Sequence, residues 1–137
     1  YLNRCMDKVQ HIFGKSNGIM AYILYGLVNC DVTKKAIKWL EEHKVDFTFH
    51  NNKTQEISEQ KLADWCKQVG WEKLLNKKGT AFKGLHPGIQ LNANTEKAAI
   101  DIMQARTSTI KRPIIELNNK IITVGFDVRK YEIEYYL

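Results

Sequence analysis

The chain has 137 residues, 44% of them hydrophobic and 26% charged, with a formal net charge of +6. That is the length of one domain able to bury a core without staples, and the composition excludes disordered, collagenous and membrane-spanning classes. Cys5, Cys30 and Cys66 are far apart and odd in number, so they form no disulfide framework and suit a reducing cytoplasm. The four histidines are scattered too, and neither Cys-x-x-Cys nor His-x-x-x-His spacing occurs, so no structural metal site is expected. Arg4, Lys8 and Lys15 against Asp7 place +2 in the first nineteen residues, leaving +4 for the rest. That excess suits an anionic small substrate or an acidic partner, or is simply a solvated surface. Few aromatic residues alternate with the basic ones, so direct nucleic-acid binding is not expected.

In chain order, residues 1–19 read as an extension, flexible or holding a short helix, and too polar for a signal peptide. Met20 stands where a natural start would. Ala21-Tyr22-Ile23-Leu24-Tyr25 reads as a buried strand, and Gly26 to Asn29 as a turn. From Cys30-Asp31 a helix is predicted to about His43, with Val32, Ala36, Ile37 and Leu40 on its apolar face. Val45 to His50 alternates as a second strand. Ser58 is the predicted N-cap of a helix whose stripe Leu62, Trp65, Cys66 and Val69 ends at Gly70. Cys66 on that stripe reads as an inert core thiol.

A short helix is expected at Trp71–Leu75, then a basic polar stretch through Lys77, Lys78 and Lys83, interrupted by Pro87 and Gly88. Thr95 caps another helix that turns Ala98, Ala99, Ile102 and Met103 inward. Pro113–Leu117 and Lys120–Val124 are β-rich runs around Asn118-Asn119, two residues that tolerate positive φ, and together predict a tight hairpin. Asp127 caps a closing helix through Tyr131 and Tyr135. A βαβ unit, a helical insertion at about 71–109 and a terminal ββα make residues 20–137 a thioredoxin-like α/β domain: a four-stranded mixed sheet with flanking helices.

Cys30 is the chemically informative residue. At a helix start its sulfur faces unpaired N–H groups and the positive end of the helix dipole, which favour thiolate. A free thiol of pKa ~8.5 is only ~3% ionised at neutral pH, and a fall to ~6.5 represents about 2.7 kcal/mol. The alternative is a small hydrophobe at a strand–helix junction. The architecture brings Arg112-Pro113, at the mouth of the hairpin, beside Cys30. A cis Arg–Pro bond is plausible there, and Arg112 either steadies a thiolate or grips an anion, or is a surface arginine. Thr33 either donates to the sulfur or is a helix-surface threonine. With threonine at that place, Cys30-x-x-Thr33 lacks a resolving thiol, so a redox cycle there requires an external one such as glutathione.

Tyr25-Gly26-x-x-Asn29-Cys30-Asp31-x-x-Lys34-Lys35-Ala36-x-x-Trp39-Leu40 resembles the active-site segment of the arsenate reductase (ArsC/Spx) family, especially its YffB-like branch. Gly70-Trp71-Glu72-x-Leu74-Leu75-Asn76, Gly79-Thr80, Ile110-Lys111-Arg112-Pro113 and Val124-Gly125-Phe126 resemble it in the same order. The resemblance implies a thioredoxin-like fold, a nucleophilic Cys30 and an active-site Arg112, with Asn29, Thr33, Lys78 and Pro113 as substrate-binding residues. It implies a cytoplasmic thiol oxidoreductase without a bound cofactor, served by glutathione or glutaredoxin and acting on a small anionic or disulfide substrate. Authentic arsenate reductases of this type also use an arginine from the insertion and another after the last strand, where this chain has Lys78 and Gly125-Phe126. The Spx branch regulates transcription by docking on RNA polymerase and usually carries Cys-x-x-Cys as a redox switch, which Thr33 departs from. A member whose chemistry has decayed is the third reading.

Overall fold

The computed structural model describes residues 21–135; the predicted N-terminal extension lies outside them. The described chain forms two compact units, one of residues up to Asn51 together with Arg112 onward, the other Asn52–Lys111. The predicted insertion at about 71–109 falls within the second.

In the first unit, runs rich in aromatic and β-branched residues produce β1 (Tyr22–Gly26), β2 (Phe47–Asn51), β3 (Ile114–Leu117) and β4 (Lys120–Val124). They form one mixed sheet in the order β2-β1-β3-β4. β1 runs parallel to β2, with Leu24 opposite Phe49, and antiparallel to β3, with Leu24 opposite Ile115 and Tyr25 opposite Ile114. Asn118 and Asn119 take φ of 51° and 66°, the left-handed pair that the tightest hairpin turn requires, and β3 and β4 pair across them with a bulge between Ile115 and Glu116. This is the thioredoxin-like sheet that the sequence predicts.

Two helices complete the unit, α1 (Asp31–Glu42) and α7 (Val128–Tyr135). Asp127 caps α7 by accepting from the Lys130 N–H at 3.2 Å. One core joins Leu24, Ile115, Phe47 and Phe49 of the sheet to Ala36, Ile37, Trp39 and Leu40 of α1 and Tyr131 and Tyr135 of α7. Its aromatic rings meet edge-on, Trp39 on Tyr131 at 5.3 Å and Phe126 on Tyr131 at 4.9 Å, an arrangement that adds roughly 0.5–1.5 kcal/mol per pair beyond burial. The predicted inward face of α1 needs one correction. Val32 is 40% exposed, and Thr33 takes the inward place. Besides Trp39, the buried residues are Thr33, Ala36, Ile37 and Leu40, an i, i+3, i+4, i+7 stripe from which Val32 is rotated by one residue.

On the opposite face of β1 and β3, Tyr25 donates its hydroxyl to Glu116 Oε1 at 2.7 Å, and Glu116 is almost wholly buried. Burial, followed by this carboxylate, pushes the Tyr25 phenol upward.

The second unit is helical: α2 (Glu59–Val69), α3 (Trp71–Leu74), α4 (Thr80–Lys83), α5 (Pro87–Leu91), α6 (Glu96–Ala105) and a 3-10 turn at Thr107–Thr109. Ser58 and Thr95 cap α2 and α6 as predicted, accepting from Lys61 N–H at 3.0 Å and Ala98 N–H at 3.2 Å. Two elements go beyond the sequence reading. The polar stretch after Lys78 contains α4, whose Phe82 is buried. The supposed interruption at Pro87 is the start of α5, because proline at the first helical position loses no intrahelical bond. The second unit closes through a bridge between Leu75 and Ile110, and Thr107 Oγ1 donates to Asn52 O at 2.7 Å. Among the described residues no helix is long and apolar enough to cross a membrane.

Candidate active site

β1 ends at Gly26, and a turn through Val28 and Asn29 delivers Cys30 to the start of α1. Cys30 is the N-cap. Its backbone is extended, at φ −104° and ψ 122°, while its carbonyl already accepts from Lys34 N–H at 2.9 Å. As a thiol its side chain makes no capping bond, so the donors of the first turn remain for an anion. The thiol is free and half-buried.

Thr33, one turn along, is fully buried, so it is not a surface threonine. Its Oγ1 has no hydrogen-bond partner around the neutral thiol. Burial by itself raises the Cys30 thiol. The Thr33 hydroxyl and backbone N–H, then the Arg112 guanidinium by hydrogen bond and charge, outweigh it and hold Cys30 below the ordinary thiol value.

Arg112 reaches this point through the sheet. Pairing of Tyr25 with Ile114 sets the start of β3 against the end of β1, and Arg112-Pro113 immediately precedes it. The Arg112–Pro113 peptide is cis, as the sequence allows. Arg112 is half-buried and Pro113 buried. The Pro113 carbonyl accepts from Gly125 N–H at 2.8 Å, and the Gly125 carbonyl accepts from Tyr131 O–H at 2.9 Å. Gly125 has φ +85°, a conformation that a side chain disfavours. Thus the position after the last strand supplies backbone that braces Pro113.

Cys30, Thr33, Arg112 and Pro113 therefore come together in the first unit. Asn29 lies in the exposed turn next to Cys30, and Lys78 is an exposed residue of the second unit. Its neighbour Lys77 has its ammonium 5.3 Å from the Trp71 ring centroid and 5.9 Å from that of Phe82, so it is engaged within its own unit. Lys34, Lys35 and Lys38 are exposed along α1. Cys66 is buried in α2, and burial, with Glu96 adding, pushes its thiol up to about 11.

Two features of this neighbourhood escape sequence reading. The carboxylate of Glu116 has a faint signal, one charge inside the run Ile114-Ile115-Glu116-Leu117. Gly26 stands in the motif around Cys30, but its role there has no sequence signal, because it depends on how closely Thr33 approaches.

Known proteins agree with this architecture. The ArsC family model matches residues 25–133. The solved YFFB (PA3664) protein is 41% identical, with a TM-score of 0.77, covering 83% of this chain and 98% of its own. An arsenate reductase (ArsC) related protein from Brucella melitensis is 39% identical, with a TM-score of 0.68, over 86% and 97% of the two chains. The global transcriptional regulator Spx of Lactiplantibacillus plantarum is 29% identical over 107 residues, 77% of this chain and 79% of its own. The chain, with its thioredoxin-like sheet and cysteine-capped helix, belongs to the ArsC family.

Proposed function

We propose that this protein is a thiol-dependent oxidoreductase that uses Cys30 as its single nucleophile, with glutathione or glutaredoxin as reductant. The observation that carries the reading is the N-cap Cys30 thiol, held below its ordinary ionisation range by Thr33 and Arg112. In the first step the Cys30 thiolate attacks the glutathionyl sulfur of a mixed disulfide. The Cys30–glutathione S–S bond forms, the substrate S–S bond breaks, and the substrate sulfur leaves as thiolate and takes a proton. A second glutathione thiolate then attacks the glutathionyl sulfur on Cys30. That step releases oxidised glutathione and returns the Cys30 thiolate, so one glutathione thiol is consumed for each substrate thiol released, and the disulfide bond passes from the substrate to oxidised glutathione. Arg112 steadies the Cys30 thiolate and holds the anionic end of the substrate, and Pro113 and Asn29 border it. No bound cofactor takes part, and a reducing cytoplasm is the compartment in which such a cycle runs.

Mass spectrometry tests this after exposure to oxidised glutathione and, separately, to arsenate with glutathione. A selective glutathione adduct on Cys30 that glutathione removes is the expected result. Absence of any Cys30 adduct under both treatments overturns the reading.

A second reading is favoured by the Spx relative: a regulator that docks on RNA polymerase. Co-purification with polymerase subunits without a Cys30 adduct would support it, and neither adduct nor polymerase would leave a member whose chemistry has decayed.

A further inference from the structure

Gly26 is the last residue of β1 and Thr33 lies in the first turn of α1, on either side of the turn that carries Cys30. A Cβ on Gly26 would stand 2.8 Å from Thr33 Cγ2, 2.8 Å from Thr33 Oγ1 and 3.4 Å from Leu24 Cδ2. Carbon does not approach other heavy atoms that closely, so the missing side chain is what lets strand and helix close here. Thr33 has little freedom to yield. It is fully buried, its branched side chain has few χ1 wells in a helix, and any rotation that withdraws Cγ2 also moves Oγ1. That Oγ1 is a buried hydroxyl without a hydrogen-bond partner, an uncommon condition in a native interior. The side chain of an N-cap residue faces the residue three positions on, so the Cys30 sulfur is the acceptor that completes it once ionised.

We propose that Gly26 is a positioning residue: by leaving room for Thr33 against β1, it fixes the Thr33 hydroxyl on the Cys30 sulfur. Gly26 touches no substrate and acts only through Thr33. The inference rests on Cys30 being the reacting thiol, but its measurement requires no turnover.

The test follows the alkylation rate of Cys30 by iodoacetamide against pH, read on the Cys30 peptide by mass spectrometry. The variants are Gly26→Ala, Thr33→Val, Thr33→Ser and the doubles Gly26→Ala/Thr33→Val and Gly26→Ala/Thr33→Ser. Loss of one hydrogen bond to a charged group shifts an equilibrium roughly tenfold, so Thr33→Val should move Cys30 ionisation about tenfold toward the thiol. Gly26→Ala should move it the same way, and Gly26→Ala/Thr33→Val no further than Thr33→Val. Serine keeps the hydroxyl and lacks Cγ2. Thr33→Ser should therefore stay near wild type, and Gly26→Ala/Thr33→Ser should recover toward it.

An unchanged profile in Gly26→Ala, or additive shifts in Gly26→Ala/Thr33→Val, overturns the proposal. If Gly26→Ala fails to fold, Gly26→Ala/Thr33→Ala, which removes both Thr33 atoms that the Cβ would meet, must fold, as followed by circular dichroism; failure of both overturns the identification of Thr33 as that group. A protein that shows the expected pattern but no glutathione-linked turnover would refute the reductase reading and leave this one standing.

Discussion

Replacing Arg112 by lysine separates charge from geometry at the candidate site. Lysine keeps the positive charge but loses the planar guanidinium, and with it the two-point grip on an anion. Arg112 favours ionisation of Cys30 both by hydrogen bond and by charge, so the variant forfeits the first and retains part of the second. A hydrogen bond to a charged group is worth about 1.5–3 kcal/mol. Arg112 is only half-buried, and water competes for such a group, so the lower end of that range applies: roughly a tenfold loss in kcat/KM. Arg112→Gln, which also removes the charge, should lose more, roughly a hundredfold. The assay is reduction of a glutathione mixed disulfide, coupled to NADPH oxidation by glutathione reductase, with kcat and KM measured separately for all three proteins. The alkylation midpoint of Cys30 should rise in the order wild type, Arg112→Lys, Arg112→Gln. Unchanged kinetics and an unchanged midpoint in both variants would make Arg112 a bystander and refute the reasoning.

Cys66→Ala should leave turnover intact. Because the folded Cys66 thiol is raised to about 11, its neutral form stabilises the fold below the ordinary thiol value, and that contribution is lost as pH rises through about 11; the urea-midpoint gap between wild type and Cys66→Ala should narrow over that alkaline window, and disulfide trapping of Cys30 with Cys66 in the native protein would contradict the inert assignment. Cys30 has the opposite sign. Its folded value lies below the ordinary 9.0, so its contribution is present above 9.0 and lost as pH falls through the lowered value; the stability advantage of wild type over Cys30→Ser should shrink on acidification, and a flat difference would exclude a stabilised thiolate. Gly125→Ala places a side chain at φ +85° and should cost about 1–2 kcal/mol, with reduced turnover because the Pro113 brace shifts; a variant of wild-type stability and activity would show that the brace is unimportant. Glutathione-linked disulfide reduction should exceed arsenate reduction, since Gly125-Phe126 supplies no second guanidinium; comparable arsenate turnover in side-by-side assays would contradict that.

Strong local signals made most of the architecture legible. Ser58, Thr95 and Asp127 are caps because each carries a short oxygen-bearing side chain ahead of an apolar period, and Asn118-Asn119 is a hairpin because both residues accept positive φ. The short helix at Trp71–Leu74 was legible, whereas α4 and α5 were not. α4 has one buried large residue, Phe82, and α5 has no buried residue at all, so neither shows a repeating stripe. Val32 and Thr33 exchanged expected places because hydrophobicity favours Val32 by type, whereas the helix phase set by Ala36, Ile37 and Leu40 favours Thr33 by position. At the site, the partnership of Cys30 with Arg112 followed from topology. The close approach of Thr33 to Gly26 is a three-dimensional fit that no pattern of residue types encodes.

The first unit is interrupted in sequence by the whole of the second, and this has a consequence for how the chain folds. Tyr25 and Glu116, bonded across the sheet, stand 91 positions apart. Joining the ends of a flexible segment of that length costs about 4 kcal/mol in closure entropy before any β1–β3 contact compensates it. Residues 52–111 are contiguous, and the 55 positions between Asn52 and Thr107 are fewer than the 91 between Tyr25 and Glu116, which favours earlier formation of this segment. The bond from Thr107 to Asn52 holds the two ends of that segment close together. Once formed, it acts as a clip that shortens the effective loop between β2 and β3. Pairing of β1 with β3 is then the later event, and it is that pairing which brings Arg112 to Cys30.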